Sequence, residues 1–120
     1  MSKYVDGFVL SVPSKNLETY RAMAEKASVV WKEHGALEYR ECVGDHMDPE
    51  GVVPFPKLAG AKEDEVVVFA YITYNSREHR DEVNAKVMSD PRITEVCGGN
   101  EMPFDCSRMA FGGFKTIVEA

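Results

Sequence analysis

Val66-Val67-Val68-Phe69-Ala70-Tyr71-Ile72-Thr73-Tyr74 is the stretch on which the fold turns. It is a run of β-branched and aromatic residues of strand length. Side chains along a strand alternate between two faces, so Val66, Val68, Ala70 and Ile72 share one side while Val67, Phe69 and Tyr71 share the other. Both sides are apolar, whereas an antiparallel sheet with one wet face alternates apolar and polar residues. A strand predicted over residues 4–12 repeats the pattern, with Phe8, Leu10 and Val12 opposite Val5 and Val9. So does one over residues 109–118, where Met109, Phe111 and Ile117 oppose Ala110, Phe114 and Val118. A sheet built from these strands needs a cover on each face.

Outward from that strand, the apolar period changes. Leu17, Tyr20, Met23, Ala24, Ala27, Val30 and Trp31 fall on one helical stripe, and Gly35 is a natural stop. Residues 36–43 read as a further strand, with Leu37, Tyr39, Glu41 and Val43 on one face and Glu38, Arg40 and Cys42 on the other. Asn75-Ser76 caps a second helix to about Ser89, with Val83, Val87 and Met88 apolar. Asp90-Pro91 starts a short helical turn through Val96 that Gly98-Gly99-Asn100 breaks, and Gly112-Gly113 marks a candidate bulge. Between the halves, residues 44–64 carry Pro49, Gly51, Pro54, Pro56 and Gly60 and are predicted to be irregular. The order β-α-β, long loop, β-α-β predicts one α+β domain over residues 1–120. Its fold is ferredoxin-like: a four-stranded antiparallel sheet with both helices on one face. Two helices cover one face only, and the chain has little left for the other. A second copy of the sheet, in a homodimer, is the expected cover.

The net charge of −6, with no Lys/Arg cluster, argues against a nucleic-acid or anionic-membrane partner. The N-terminus has no basic segment followed by an apolar one, and no apolar run approaches the ~20 residues of a membrane span. Three cysteines without a CxxC pair fit a reducing compartment, so a cytoplasmic location is expected. There is no GxGxxG, P-loop, GxSxG or HExxH, which argues against Rossmann hydride transfer, P-loop phosphoryl transfer and elbow-type acyl transfer. Asp45-His46-Met47-Asp48 lacks a second His or Cys at ligand spacing, so neither a metal nor another cofactor is expected.

Several phrases together resemble the YbaA-like family of small bacterial proteins of unknown function. They are Tyr4-Val5-Asp6-Gly7-Phe8, Ser89-Asp90-Pro91-Arg92, Met102-Pro103-Phe104-Asp105, Arg108-Met109 and Gly112-Gly113-Phe114. The resemblance spans nearly the whole chain and implies membership of the dimeric α+β barrel superfamily, in which two ferredoxin-like sheets pair into a barrel. That superfamily includes cofactor-free monooxygenases of aromatic polyketides, haem-degrading enzymes, lactone isomerases and ligand-sensing modules. The resemblance implies a fold and a dimer, and carries over no catalytic residue.

Candidate site residues follow from chemistry on apolar faces. His34, at the end of the helical stripe, is either a general base or a cation at a helix C-terminus. Glu41, beside Tyr39 on one strand face, is either an acid/base carboxylate or a rim carboxylate paired with an Arg. Trp31, Tyr39, Phe69 and Tyr71 are candidates to line a pocket for a small hydrophobic or aromatic molecule. Arg108 either clamps a ligand carboxylate or pairs with Asp105. His79 is expected to face solvent, and Cys42 and Cys97 to pack inside. Two functions follow: a cofactor-independent small-molecule enzyme of monooxygenase type, or a non-enzymatic ligand-binding or stress-related module on the same fold. A cavity holding two or more unsatisfied polar side chains favours the first; a filled core favours the second.

Overall fold

In the computed structural model the described residues are 3–97 and 102–120, and the side chains of 95–97 fall outside them. The Gly98-Gly99-Asn100 break and the side chain of Cys97 therefore lie outside the described residues. Four strands, β1 (Tyr4–Pro13), β2 (Glu38–Val43), β3 (Glu65–Tyr74) and β4 (Ala110–Lys115), form one sheet in the order β2-β3-β1-β4. All three pairings are antiparallel. Each half is thus a split β-α-β unit with a strand of the other half between its own two.

Helices α1 (Leu17–Glu33), α3 (Arg77–Met88) and α4 (Pro91–Cys97) lie on the face carrying Tyr4, Leu10, Val12, Val68, Ile72 and Tyr74. Helix α1 buries Tyr20, Ala24, Ala27 and Val30, the repeat that its stripe predicts. The Ser76 hydroxyl caps α3 by accepting from the His79 N–H at 3.0 Å. Of the apolar positions expected in α3, Val83 and Val87 are buried and Met88 is exposed.

The 44–64 segment is not irregular throughout. Pro54, Pro56 and Gly60 delimit a short helix, α2 (Phe55–Ala59), with proline in its first turn and Gly60 closing it at φ +64°. Helix α2 lies on the second face of the sheet. The Ser11 hydroxyl donates to the Ala59 carbonyl at 3.3 Å, and Phe55 meets Phe69 edge-on. The chain therefore covers one end of its second face itself, which the helix count alone does not anticipate. At the other end Val5, Val9 and Tyr71 are half-buried and Phe114 is 61% exposed.

Gly112 and Gly113 form no bulge: they pair in register with Gly7 and Asp6. A side chain at Gly113 would collide with the Tyr4 hydroxyl and come within 2.8 Å of Arg80 Nη2. The glycine leaves room for that pair. Gly113→Ala is expected to destabilise the fold by about 1–3 kcal/mol. Gly112→Ala, where the nearest atom is Phe114 Cε1 at 3.6 Å, should cost clearly less. Urea unfolding of the two variants beside the parent checks the difference.

Candidate functional site

Two alanines make the site. Ala24 and Ala27 stand in the middle of the buried stripe of α1 and present only methyl groups to the sheet. The space they leave is a cavity of about 320 Å³ between α1, the sheet and the 102–109 segment. Its lining is largely apolar and aromatic, with Phe8, Met23, Trp31, Ile72, Phe104 and Met109. The 102–109 wall is tied at one end by the Asn16 side-chain amide, which donates to the Pro103 carbonyl at 2.9 Å. Phe104 packs edge-on against Tyr20, with ring centroids 5.5 Å apart.

Among the described residues one carboxylate, that of Glu41, faces this lining. The Tyr20 hydroxyl donates to Glu41 Oε1 at 2.7 Å and the Tyr39 hydroxyl to Glu41 Oε2 at 2.8 Å. Tyr39 in turn packs near Trp31, centroids 6.1 Å apart. The register explains the grouping. Tyr39 and Glu41 pair with Ile72 and Ala70 of β3, so all four point toward α1. Among the described residues the two phenols are the hydrogen-bond donors to Glu41. Each carboxylate oxygen accepts more than one hydrogen bond, so a donor on a bound molecule can also be received. The cavity is present, as one expectation required; Tyr20, Glu41 and Tyr39 hold one another, while the Trp31 indole nitrogen is buried without a hydrogen-bond partner among the described residues.

The structure thus brings together Trp31, Tyr39 and Glu41, and adds Tyr20. It separates the other candidates. Phe69 and Tyr71, with ring centroids 6.3 Å apart, carry their rings on the second face of the sheet, although Tyr71 is also among the residues that border the cavity. His34 caps the C-terminal end of α1, fourteen residues beyond Tyr20 and so roughly 21 Å along the helix. Its Nε2 lies 2.8 Å from Asp90 Oδ2, and Asp90 also receives Arg92, which pairs with Glu33. The Arg92 and His34 hydrogen bonds hold the Asp90 carboxyl well below the usual carboxylate range. The cluster ties the end of α1 to the start of α4.

Other placements differ from expectation. His79 is half-buried: its Nδ1 accepts from the Asn75 N–H at 2.9 Å and its ring sits edge-on to Tyr74. Cys42, on the second face of edge strand β2, is exposed, as is Cys106. His46 and Asp48 are exposed, 3.8 Å apart.

Two features escape a reading of the sequence by periodicity. Tyr20 reads as one more apolar position of a helical stripe, and only the fold brings its hydroxyl to Glu41. Asp6 is the second. It is 2% exposed on the helix face of β1, with Arg80 Nε 3.5 Å away. Arg80 also donates to the Tyr4 hydroxyl at 3.1 Å and stacks over its ring. Burial raises the Asp6 carboxyl, Arg80 opposing it, and burial likewise raises the Tyr74 hydroxyl beside them. The available signal was an Asp in the inward set Tyr4, Phe8, Leu10, Val12.

Residues 3–106 match the family model described as a protein of unknown function, DUF1428. The uncharacterized protein YbaA of Escherichia coli K12 is 47% identical over 117 residues, covering 98% of both chains. YbaA of Shigella flexneri matches to the same extent. A solved NIPSNAP-family protein of unknown function from Agrobacterium tumefaciens superposes with a TM-score of 0.57 at 13% identity, covering 95% of this chain and 87% of that one. That likeness is one of fold alone.

Arg108, the remaining candidate, pairs with Glu65 and not with Asp105. Its two terminal nitrogens meet the Glu65 oxygens at 2.9 and 2.8 Å, and Nη2 also donates to the Gly60 carbonyl. Asp105 instead receives the backbone N–H and hydroxyl of Ser107. The clamp joins the end of α2 to the start of β3 and holds the chain entering β4. The Arg108 hydrogen bonds, then the Lys62 N–H, lower the Glu65 carboxyl from 4.5 to about 2. Because the folded value lies below the unfolded one, the clamp stabilises fully above pH 4.5 and its contribution is lost as pH falls toward about 2. Glu65→Gln should therefore lower stability at neutral pH, and the gap to the parent should close between pH 4.5 and pH 2. Urea unfolding at pH 7 and at pH 2–3 checks this; a gap that stays constant would contradict it.

Proposed function

The chain belongs to the YbaA-like family of proteins of unknown function, and from that premise we propose that it holds a small aromatic molecule in the cavity beneath α1, with Glu41 as the group that accepts the molecule's proton. One observation carries the reading: a carboxylate fixed by two phenols at the wall of an otherwise apolar, aromatic-lined space. The lining gives affinity for a flat apolar body, and the carboxylate selects a hydroxyl or an acidic C–H on it. The chemistry that fits is cofactor-independent oxygenation of monooxygenase type. Glu41 takes a proton from an activated CH₂ group, leaving a resonance-stabilised carbanion that reacts directly with O₂. One oxygen atom ends as the new carbonyl and the other leaves as water. The hydrogen bonds among Tyr20, Glu41 and Tyr39 support a second reading, a module that holds such a molecule without turnover, because the polar groups are already engaged.

A thermal-shift screen of 1-naphthol, anthrone and 2-tetralone tests the site. The parent should be stabilised by at least one, and Glu41→Gln should lose that shift. Ala27→Leu, which fills the space from α1, should lose it too while remaining folded. Stabilisation unchanged in both variants would remove the cavity as the site. Turnover of a stabilising compound under air separates the enzyme from the module, with loss of a general base expected to lower the rate by roughly 10²–10⁴-fold.

The second face supports a homodimer. The part that α2 leaves bare carries Val5, Val9, Tyr71 and Phe114 together with the exposed part of Phe69, an apolar surface that a second sheet of the same kind would bury. Sedimentation at micromolar concentration should give twice the 13.4 kDa chain mass. Phe69→Glu combined with Phe114→Glu should give the single chain, and a parent that sediments as one chain would refute the dimer.

A further inference from the structure

The carboxylate that lines the cavity also lines a second space. A groove of about 470 Å³ runs outside the cavity, between α1 and the edge strand β2. Tyr20, Ala24, Tyr39 and Glu41 border both spaces, whereas Leu17, Arg21, Ser28 and Val43 border the groove alone. Arg21 and Val43 are exposed, so the groove meets solvent directly. Glu41 and its two phenols thus stand between the apolar cavity and the solvent-facing groove.

We propose that Glu41 is the proton outlet of the cavity: it receives a proton from the bound molecule on the inner side and releases it to water in the outer groove. The proposal rests on the reading of the cavity as a small-molecule site. The step balances without another reactant. A C–H bond of the molecule breaks, its electron pair stays on the molecule as an enolate, and the proton forms an O–H bond on Glu41. Water in the groove then takes that proton and the carboxylate is restored. Tyrosine hydroxyls suit the relay because each can donate and accept. While Glu41 carries the proton, a phenol can turn its own O–H away and accept from the carboxyl, and it turns back on release. An interior base with no such route would return the proton to the carbon it came from.

Hydrogen exchange reads this difference. 2-Tetralone is a flat bicyclic ketone whose C1 hydrogens are acidic, and NMR in D₂O follows deuterium entering at C1. The parent should raise that rate above buffer, and Glu41→Gln should return it to the buffer rate. Ser28→Trp places an indole in the groove from a residue that does not itself line the cavity. It should keep the thermal shift by 2-tetralone yet lower deuterium incorporation severalfold, since the abstracted proton then returns unexchanged. Val43→Trp closes the groove from the strand side and serves if Ser28→Trp does not fold. Undiminished incorporation in the groove variants overturns the outlet and leaves the cavity reading standing. So does a parent that is stabilised by 2-tetralone but does not accelerate exchange. A parent that none of the aromatic probes stabilises overturns both.

Discussion

A buried carboxylate decides which way the sheet faces. Both faces of β1 and β3 are apolar, so hydrophobic burial alone discriminates weakly between the observed register and one slipped by a residue, which would exchange the faces of every side chain. Asp6 removes the ambiguity. It is buried on the helix face, where α3 supplies Arg80 and β4 supplies the empty position of Gly113. A slip would part the carboxylate from Arg80 and leave the largely buried guanidinium without its partner, and breaking a buried ion pair by removing one member is among the costliest changes a fold can suffer. From this register follow the inward direction of Tyr39 and Glu41, through the pairing of β2 with β3, and the outward direction of Phe69 and Tyr71.

The cavity depends on the same geometry. With Glu41 facing α1, a helix carrying large side chains throughout would press on it. Ala24 and Ala27 hold the middle of the helix open, while Tyr20 above and Trp31 below fill the ends. Core space that is left open costs stability. Here the vacant volume lies beside a carboxylate and its two phenols, which gives an apolar space a polar wall. Fold-defining and site-forming residues thus alternate along one helix: Val30 packs, Ala27 makes room, and Tyr20 orients the carboxylate.

The segment between the halves plays a different part. Helix α2 lies on the second face and is anchored through Ser11, Phe55 and the Arg108–Glu65 clamp. It buries Ser11 and Val67 and leaves Phe114 and much of Phe69 outside. The second face is therefore divided into an end covered by the chain's own helix and a bare end. Val52, Val53 and Leu58 on the same segment are also largely exposed.

The strands, the two long helices and their order were legible because each is set by local period: two along Val66 to Tyr74, near four from Leu17 to Trp31, with Gly35 and Ser76 as stops and starts; the strand expected over residues 109–118 ends at Lys115, and Ile117 and Val118 lie exposed beyond it. The two-sided apolar character of the sheet was legible for the same reason. Tyr39 and Glu41 could be placed on one face, and Trp31 on the buried stripe, since these too follow from periodicity. What tertiary structure alone decided is which distant groups meet. Glu41 takes its donor from Tyr20, twenty-one residues away, Arg108 takes Glu65 across forty-three residues in place of Asp105 three residues away, and His34 takes Asp90. Helix α2 was missed because five residues between prolines and a glycine carry too little period to declare a helix, and it owes its place to the apolar face beneath it. Periodicity records how a side chain points relative to its own element. Pairing between elements depends on strand register and helix docking, which minimise the free energy of the whole chain and leave no local mark on the residues that end in contact.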